Sequence, residues 1–596
     1  MTTPPWWERH PGRLEDEIAR LEAAGWSAAL DKELQAEEGR IVLHLSEGPY
    51  ENLRTARVEF PDVYPFIKPL VFSDGLELQR HYNPVTGELC FLADGTINWE
   101  TTDTVAALID DQYPRLLRAE GLDPQPAAAL GLEHRAPEPA RLYLTAAAMP
   151  ESGIIIDFNW STLPATNGTL ELAYFPDATV TDDKGRTLPV VRGVVAVVRD
   201  GEGTVLNEAD DRLLHQRMRR VTVQWAALDR PPVGTSPEAL SAEIHPLAPR
   251  LSRAERTITH RSADGREHEV EVLAALYVDE IGHCRHGVDI AFIGRGPTRS
   301  ADIDGQGNRH AAIRTFRAGP EHLTERVPML AGMPAATVLQ VGVGGLGAPT
   351  AHILAQTQLG RLTLMDHDHV DPATTTRFPA SIFDAGSTKA PLVAQQIRAK
   401  NPYVEVTPIV EMVGQIRHGR GQRQDEHLEQ LIADHDLVLD TTAEIGVQYL
   451  LADACRRLEK PYVTAWATEG AWGGGVAHLT AADGYTPCFA CLQTTLSQEG
   501  VLPPRDVSAG TLAPAGCGSL TFTGTGFDLA PLIAECARTV ASTLSEDYPP
   551  LEWDLAVCAL RDQCGRPVTP QWEAHRIIGC DHPAPLTSSR RARAGH

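Results

Sequence analysis

This 596-residue chain contains cysteines and charged residues whose types and spacing could support catalysis or metal binding. Ten cysteines are sparse over this length, which indicates reduced thiols available for metal binding or nucleophilic work. Cys517 lies in PAGCGSLTFTGTGF, a loop that leads into a helix, and we favour a reactive nucleophile there over a packed thiol. Cys488 and Cys491, in TPCFACL, have the spacing of a structural zinc pair.

A glycine-rich turn predicts where a nucleotide binds. Gly342, Gly344 and Gly347 form GVGGLG between an apolar strand and a helix, and Gly345 is an extra glycine in the turn. Such a turn lets the backbone approach a phosphate, while the helix N-terminus offers amides to it. Asp366 ends the next predicted strand, where a carboxylate can hold both ribose hydroxyls. Taken alone, this pattern would favour an NAD(P) dehydrogenase.

The residues that follow favour a different chemistry. The runs MDHDHVDPATTTRF, GSTKAPLVAQQI and DLVLDTTAE resemble the ThiF/MoeB-type adenylating enzymes, which activate ubiquitin-like proteins and bacterial sulfur carriers. The resemblance implies bound ATP and Mg²⁺. By the same resemblance Asp366 holds the ribose, Arg377 and Lys389 neutralise the phosphates, and Asp440 carries magnesium, with Asp368 a lesser candidate.

The same resemblance gives roles to the later cysteines. The family places a thioester-forming or related reactive cysteine in a loop before a helix, and this position falls on Cys517. A second cysteine pair completes the family's zinc site, whereas this chain has Cys580 and His582 there. A zinc site that uses Cys488, Cys491 and Cys580 and the loss of the metal both remain open.

The front of the chain resembles a ubiquitin-conjugating domain. FPDVYPFIKPLVF and HYNPVTGELCFLADGTINW contain the proline turn at Tyr64–Pro65, the His-x-Asn tripeptide that ends at Asn83, the acceptor Cys90, and Trp99. The resemblance implies that Cys90 receives an acyl group and that Asn83 donates a hydrogen bond to the tetrahedral oxyanion.

These segments predict a multidomain chain, because 596 residues exceed a single hydrophobic core. An α+β conjugating-like domain comes first, a β-rich domain of unknown role lies in the middle, and an α/β Rossmann-like ThiF-type domain follows. The predicted boundaries are 1–122 for the first domain, 123–139 for a Pro/Ala-rich linker, 140–320 for the middle domain, 321–583 for the adenylation domain and 584–596 for a tail.

The net charge of −26 argues against nucleic-acid and membrane partners, since an acidic surface repels phosphates and anionic lipid. No apolar run is long enough to span a bilayer, and the first residues lack the order of a signal peptide. We therefore expect a cytoplasmic protein.

Together the two resemblances imply an enzyme similar to bacterial fusions found in cyclic-oligonucleotide antiphage operons. Such an enzyme adenylates the C-terminal carboxylate of a partner, a ubiquitin-like protein or a nucleotidyltransferase. Cys517 takes the acyl group and passes it to Cys90, which delivers it to an amine. A homodimer is also implied, with Arg314, Arg317 or Arg326 as candidates for a basic side chain that reaches the other subunit's ATP.

Two alternatives remain open on the sequence. A sulfur-carrier-protein adenylyltransferase with a docking front domain would need ATP but not Cys90. An NAD(P)-binding oxidoreductase would bind nicotinamide and would need none of Arg377, Lys389 and Cys90.

Overall fold

A computed structural model describes most of the chain in two compact units, Met1–Gly319 and Pro320–His596. The described residues are 4–73, 75–76, 78, 81–83, 85–91, 99–122, 148–181, 185, 187–233, 235–248, 257–261, 267–281, 285–296, 309–415, 423–480, 487–498, 500–506, 511–512 and 521–577.

The helices are α1 Trp6–Arg9, α2 Pro11–Ala23, α3 Lys32–Glu38, α4 Val105–Ala119, α5 Pro237–Leu247, α6 Pro320–Thr324, α7 Gly347–Gln356, α8 Lys389–Lys400, α9 Gln424–Ala433, α10 Ile445–Arg457, α11 Phe489–Leu496 and α12 Gly526–Leu544. The strands are β1 Ser27–Leu30, β2 Ile41–Ser46, β3 Ala56–Phe60, β4 Leu70–Phe72, β5 Ala148–Ile156, β6 Asn167–Tyr174, β7 Thr179–Thr181, β8 Thr187–Pro189, β9 Arg192–Asp200, β10 Val205–Glu208, β11 Arg219–Ala227, β12 Thr257–Arg261, β13 Glu267–Glu280, β14 His286–Arg295, β15 His310–Arg317, β16 Thr337–Val341, β17 Arg361–Met365, β18 Glu405–Ile409, β19 Leu437–Asp440, β20 Tyr462–Ala467, β21 Gly473–Leu479, β22 Thr511–Leu512, β23 Thr521–Phe522, β24 Leu555–Arg561 and β25 Pro567–His575.

Strands β1 to β4 form an antiparallel meander in chain order, and helices α2 and α4 pack against each other. Alternating residues of β3 are buried, as expected for strands with one face on a core. Helix α4 begins where Thr104 accepts a hydrogen bond from the Ala107 amide, the usual way to satisfy a free amide at a helix start. This segment has the α+β composition that the sequence predicts for residues 1–122.

The β-rich segment is a closed barrel. The sheet runs β10-β9-β5-β15-β14-β13-β11-β6, and β6 also pairs with β9, so seven of its strands close into a ring. Apolar side chains from each of the seven strands fill the interior, among them Ile156, Trp225 and Phe292. Helix α5 covers one outer face, where Leu240 and Ile244 are completely buried.

The second unit contains an eight-stranded sheet of order β18-β17-β16-β19-β20-β21-β24-β25. The first five strands pair in parallel and the last three add antiparallel. Apolar clusters cover both faces: α7, α8 and α12 lie in one cluster, and α9, α10 and α11 lie in the other. Strands β16 and β19 are neighbours at the centre, and their carboxyl ends carry the residues described next.

No helix among the described residues is long and apolar enough to cross a membrane.

Candidate functional site

The glycine loop follows strand β16 and needs glycine for steric reasons at two positions. Gly342 has φ +91°, and a Cβ there would lie 2.7 Å from the Thr442 amide nitrogen. A Cβ on Gly347 would lie 2.3 Å from the Gly342 carbonyl oxygen. By contrast, a Cβ on Gly344 would meet nothing within 4 Å. The loop is therefore packed tightly at both ends and open in the middle.

The open part of this loop presents backbone donors. Within the described chain, the amides of Gly344 and Gly345 donate no hydrogen bond. Helix α7 begins at Gly347 without a side-chain cap; the Ala348 amide donates to the Gly344 carbonyl at 2.9 Å, so the free donors lie in the loop just before the helix. Free amides at a helix N-terminus are the arrangement that binds phosphate.

Asp366 lies immediately after strand β17 and is tied to the loop. One carboxylate oxygen accepts from the Val343 amide at 2.6 Å, and the other accepts from the Asp368 amide at 2.8 Å. The side chain is only partly buried. These bonds fix the carboxylate beside the glycine loop, where the sequence predicts a ribose-binding acid.

Lys389 begins helix α8 and forms an ion pair with Asp368, with Nζ 2.5 Å from the carboxylate oxygen. Burial is the largest influence and acts to raise the pKa of Asp368, but the hydrogen bond and charge of Lys389, together with the His369 amide, outweigh it, and the pKa lies below its ordinary value. The Lys389 side chain is 11% exposed and that of Asp368 is 59% exposed. The cation is thus held inside, and the carboxylate stands at the surface.

Arg377 lies across the glycine loop. A Cβ on Gly345 would be 3.0 Å from the aliphatic Cγ and Cδ of this side chain, and Nη1 donates to the Gly524 carbonyl at 3.4 Å. Burial lowers the pKa of Arg377, as expected for a cation removed from water. The structure therefore brings together both predicted phosphate-binding cations, the loop and Asp366.

Asp440 ends strand β19 and is completely buried. One carboxylate oxygen accepts from the Thr442 amide and hydroxyl at 3.0 and 2.7 Å, and the other accepts from the Tyr462 hydroxyl at 2.9 Å. Burial raises the pKa of Asp440 to about 6, although these three bonds act in the opposite direction. In this arrangement Asp440 holds the turn at Thr442, and its role as a magnesium ligand stays a prediction.

Two residues under the loop were not predicted. Gln340, in the middle of strand β16, donates from Nε2 to the Gly347 carbonyl at 2.7 Å. Thr441 donates to the Gly342 carbonyl at 2.6 Å. The available signal was a glutamine within the otherwise apolar run of a central strand, TVLQV, because a polar residue at such a position needs a partner.

Cys90 follows a tight turn beside strand β4. Asn83 organises this turn: its side-chain oxygen accepts from the amides of Val85 and Thr86 at 2.9 and 3.1 Å. The Cys90 amide donates to the His81 carbonyl, and the thiol is partly exposed and forms no disulfide. Asn83 and Cys90 are therefore on one turn, but no contact between them identifies an oxyanion donor.

A buried network supports the proline turn at Tyr64–Pro65. The Tyr64 hydroxyl donates to Glu17 at 2.5 Å and accepts from Arg13 at 2.7 Å. The other Glu17 oxygen accepts from the Val105 amide at 2.9 Å. Trp99 donates from its indole to the Pro65 carbonyl at 2.9 Å. The predicted Tyr-Pro turn and Trp99 are thus in contact.

Cys488 and Cys491 lie together, with sulfur atoms 3.6 Å apart at the start of helix α11. In the described part of the chain, no cluster of three or more His, Cys, Asp or Glu residues could hold a metal ion. Cys580 and His582 lie outside the described residues, as does Cys517. The zinc site and the thioester loop therefore stay predictions.

Two other cysteines are buried, and their burial makes the thiols unreactive. Cys455 and Cys536 are completely buried in helices α10 and α12. Burial raises the pKa of Cys536 to about 12 and that of Cys455 still further. Neither thiol is a nucleophile near neutral pH.

One predicted inter-subunit arginine is engaged within its own domain. Arg317 lies 3.5 Å from the Asp289 carboxylate and donates to the Val288 carbonyl. Asp289 is completely buried, so this pair is part of the barrel. Arg314 remains exposed on the same strand.

A central parallel sheet, a glycine loop at its carboxyl edge and an acid after the next strand define a nucleotide-binding α/β domain. Residues 329–543 match the model of the ThiF family. The C-terminal part of the chain therefore carries a ThiF-type domain, which confirms that part of the predicted architecture.

Relatives match the chain over two different lengths. A protein of Sinorhizobium fredii, y4oA, is 28% identical over 590 residues, which is 96% of each chain. The molybdopterin-synthase adenylyltransferase of Escherichia coli is 32% identical over 178 residues, covering 30% of this chain and 65% of that protein. The SAMP-activating enzyme E1 of Haloferax volcanii is 31% identical over 169 residues, 28% of this chain and 56% of that protein.

Among solved structures, Escherichia coli MccB with MccA-N7isoAsn has a TM-score of 0.33 and 16% identity, covering 43% of this chain and 69% of that chain.

Proposed function

We propose that this protein is an ATP-dependent enzyme that adenylates the C-terminal carboxylate of a partner protein, receives the acyl group as a thioester and transfers it to an amine. The observation that carries the proposal is the convergence of the open glycine loop, Asp366, Arg377 and Lys389 at one edge of the ThiF-type sheet. The relatives named as an adenylyltransferase and as an E1 activating enzyme support the first step.

In this proposal the loop amides and Asp366 hold the ATP phosphates and ribose. The partner carboxylate attacks the α-phosphorus, the bond to the β-phosphate breaks, and pyrophosphate leaves. Arg377 and Lys389 offset the charge that develops on the leaving group. For Lys389 to do so, it must exchange Asp368 for phosphate.

Magnesium would neutralise the phosphates in this reaction. Asp368 presents an exposed carboxylate that fits such an ion, whereas Asp440 would first have to give up one of its three donors. We therefore propose that Asp368 and Asp440 share this role, with Asp368 the more accessible.

The proposed thioester steps transfer the activated C-terminal carboxyl group of the partner. Cys517 attacks the acyl adenylate and AMP leaves; the Cys90 thiolate then takes the acyl group and Cys517 regains a proton. An amine attacks the Cys90 thioester, and the thiol is released. By the resemblance stated above, the setting is antiphage defence in a cytoplasmic homodimer, and the partner is a ubiquitin-like protein or a nucleotidyltransferase.

The test is ATP–pyrophosphate exchange with candidate partner proteins encoded beside this gene. We expect exchange that requires both the partner's free C-terminus and Mg²⁺, followed by partner adducts that thiols release. An Arg377→Ala variant should lose exchange but bind adenosine as wild type does. Absence of exchange, with nicotinamide nucleotides bound instead, would replace this function with that of an oxidoreductase.

A sulfur-carrier adenylyltransferase is the second candidate, because the molybdopterin-synthase relative bears the name adenylyltransferase. It predicts exchange that is unchanged in Cys90→Ala and a partner that receives sulfur rather than an amine. Detection of partner–amine conjugates that depend on Cys90 would exclude it.

A further inference from the structure

Strand β16 contains a polar side chain where packing alone would favour an apolar one. Gln340 is completely buried between Leu339 and Val341, and strands β17 and β19 flank it on either side. Its Oε1 atom has no hydrogen-bond partner within the described chain. An unsatisfied buried oxygen costs stability, so the fold alone gives no reason for this glutamine.

The other end of the same amide lies directly under the glycine loop. Nε2 donates to the Gly347 carbonyl at 2.7 Å and lies 3.3 Å from the Gly342 carbonyl, so one nitrogen spans the first and last glycines of the turn. Thr441, the residue after strand β19, reaches the same place: its hydroxyl is 3.4 Å from Nε2 and donates to the Gly342 carbonyl at 2.6 Å.

The direction of these carbonyls sets the direction of the loop amides. Gly342, at φ +91°, turns its carbonyl inward onto Thr441 and Gln340, while the amides of Gly344 and Gly345 remain without an internal acceptor. Thr441 also fills the space beside Gly347, where a Cβ would lie 2.5 Å from its hydroxyl oxygen. The two side chains therefore form a floor that holds the phosphate-facing amides in one conformation.

We propose that Gln340, together with Thr441, is a positioning residue for the phosphates of the bound nucleotide, acting through the glycine loop and not through the fold. This inference rests on the proposed nucleotide-binding function. Asp366 holds the ribose from another strand, so the floor should affect phosphate binding and leave nucleoside binding unchanged.

The experiment compares ATP with adenosine, by calorimetric titration of the full chain. Gln340→Leu removes the amide at similar volume, and both loop carbonyls keep another donor, Thr441 for Gly342 and a helical amide for Gly347. We expect ATP to bind about tenfold more weakly, the magnitude of one good hydrogen bond. Adenosine should bind within about twofold of wild type by the same reasoning, and the melting temperature should be equal or higher because an unsatisfied oxygen is gone.

Matched variants distinguish positioning from packing. Thr441→Val should reproduce the selective loss and Thr441→Ser, which keeps the hydroxyl, should restore wild-type binding. Thr363→Val removes a buried hydroxyl that is 2.8 Å from His435, which lies between helix α9 and strand β19, away from the glycine loop, and this variant should leave the binding of both ligands unaffected.

Equal weakening of ATP and adenosine, or no weakening of ATP, would show that Gln340 is an ordinary core residue. A preference of the wild-type protein for NAD⁺ over ATP would overturn the proposed function. The positioning role of Gln340 and Thr441 would then be tested by comparing the affinities of the same variants for NAD⁺ and for adenosine. If the wild-type protein binds neither ATP nor NAD⁺, both the proposed function and the positioning role of Gln340 are wrong.

Discussion

Asp440 has an unusual environment for an acidic residue, because its carboxylate is completely buried and, within the described part of the ThiF-type domain, no cationic side chain pairs with it. Three neutral donors from Thr442 and Tyr462 satisfy it. Neutral donors stabilise a carboxylate less than a cation does, which is why burial dominates and the pKa rises from 3.8 to about 6.

This raised pKa predicts how stability changes with pH. Below about pH 4 both folded and unfolded chains keep the Asp440 proton; above that, the unfolded chain releases it while the folded chain retains it up to about pH 6. Asp440 therefore destabilises the folded protein increasingly as pH rises through this window, by about 3 kcal/mol above it. In urea unfolding, the free energy of unfolding of Asp440→Asn relative to that of wild type should increase between pH 4 and pH 6. A difference that is constant over that range would contradict the burial effect.

The same contacts allow a test of what Asp440 does in catalysis. Asp440→Ala should abolish pyrophosphate exchange, since either magnesium binding or the Thr442 turn would be lost. Tyr462→Phe separates the two causes, because it removes one donor and frees a carboxylate oxygen. If Asp440 binds magnesium, the Mg²⁺ concentration for half-maximal exchange should fall in Tyr462→Phe. If Asp440 only anchors the turn, through the oxygen that Thr442 contacts, the Mg²⁺ concentration for half-maximal exchange should stay at its wild-type value in Tyr462→Phe.

At the scale of elements, Glu17 joins three parts of the N-terminal segment. It lies on helix α2, accepts from Tyr64 of the proline turn and caps the start of helix α4 through the Val105 amide. Burial raises the pKa of Glu17, and the Tyr64 and Val105 donors counteract that rise. The proline turn at Tyr64–Pro65 and the helix after Trp99 therefore depend on one side chain.

Tyr64→Phe should loosen this junction, because a buried carboxylate that loses a donor costs about 1–3 kcal/mol. The measurement is hydrogen–deuterium exchange of the peptide containing Val105, which should exchange faster. Tyr50→Phe is the matched control: its hydroxyl donates to Asp110 at an exposed position and its loss should cost less than about 0.5 kcal/mol. Equal effects of the two variants would show that the buried junction has no special role.

Local patterns predicted the elements of the nucleotide domain well, because each depends on a few adjacent residues. The glycines between β16 and α7, and Asp366 at the end of β17, lie where the αβ alternation places them. The burial of Asp440 was not predictable, since it depends on Tyr462 from another strand. The Gln340 floor depends likewise on Thr441, which is remote in sequence. Closure of the barrel depends on the pairing of β6 with β9, and the alternation of apolar and polar residues within a strand does not reveal which strands pair.

For the whole molecule, the proposed relay requires two thiols in different compact units, Cys90 in the first and Cys517 in the second. A proline-rich segment separates the first domain from the barrel in sequence, and such segments act as extended spacers. The acyl group must therefore cross between units, within one chain or between two.

The relay predicts an asymmetry between two variants. Cys517→Ala should adenylate the partner but carry no thioester on any residue, whereas Cys90→Ala should accumulate a thiol-sensitive adduct on Cys517 and form no conjugate. Intact-mass measurement with and without reductant reports both. Undiminished charging of Cys90 in Cys517→Ala would show that the adenylate passes directly to the front domain.

Mixing the two variants tests the route. If transfer can occur between chains, a mixture of Cys517→Ala and Cys90→Ala should restore part of the conjugation, because each chain supplies the thiol that the other lacks. Restoration that disappears on dilution would indicate a dissociable dimer. No restoration at any concentration would restrict transfer to a single chain.

Closure of the barrel has a mechanical consequence. Its first strand, β5, and its last, β15, are parallel neighbours, with Ala148 opposite Ala312 and Ile156 opposite Arg317. The chain consequently enters at one end of this strand pair and leaves at the other. Tension between the two ends would slide β5 along β15 and load their hydrogen bonds together, not one after another. A module connected in this way resists extension in shear, and it can transmit force along the polypeptide without itself unravelling.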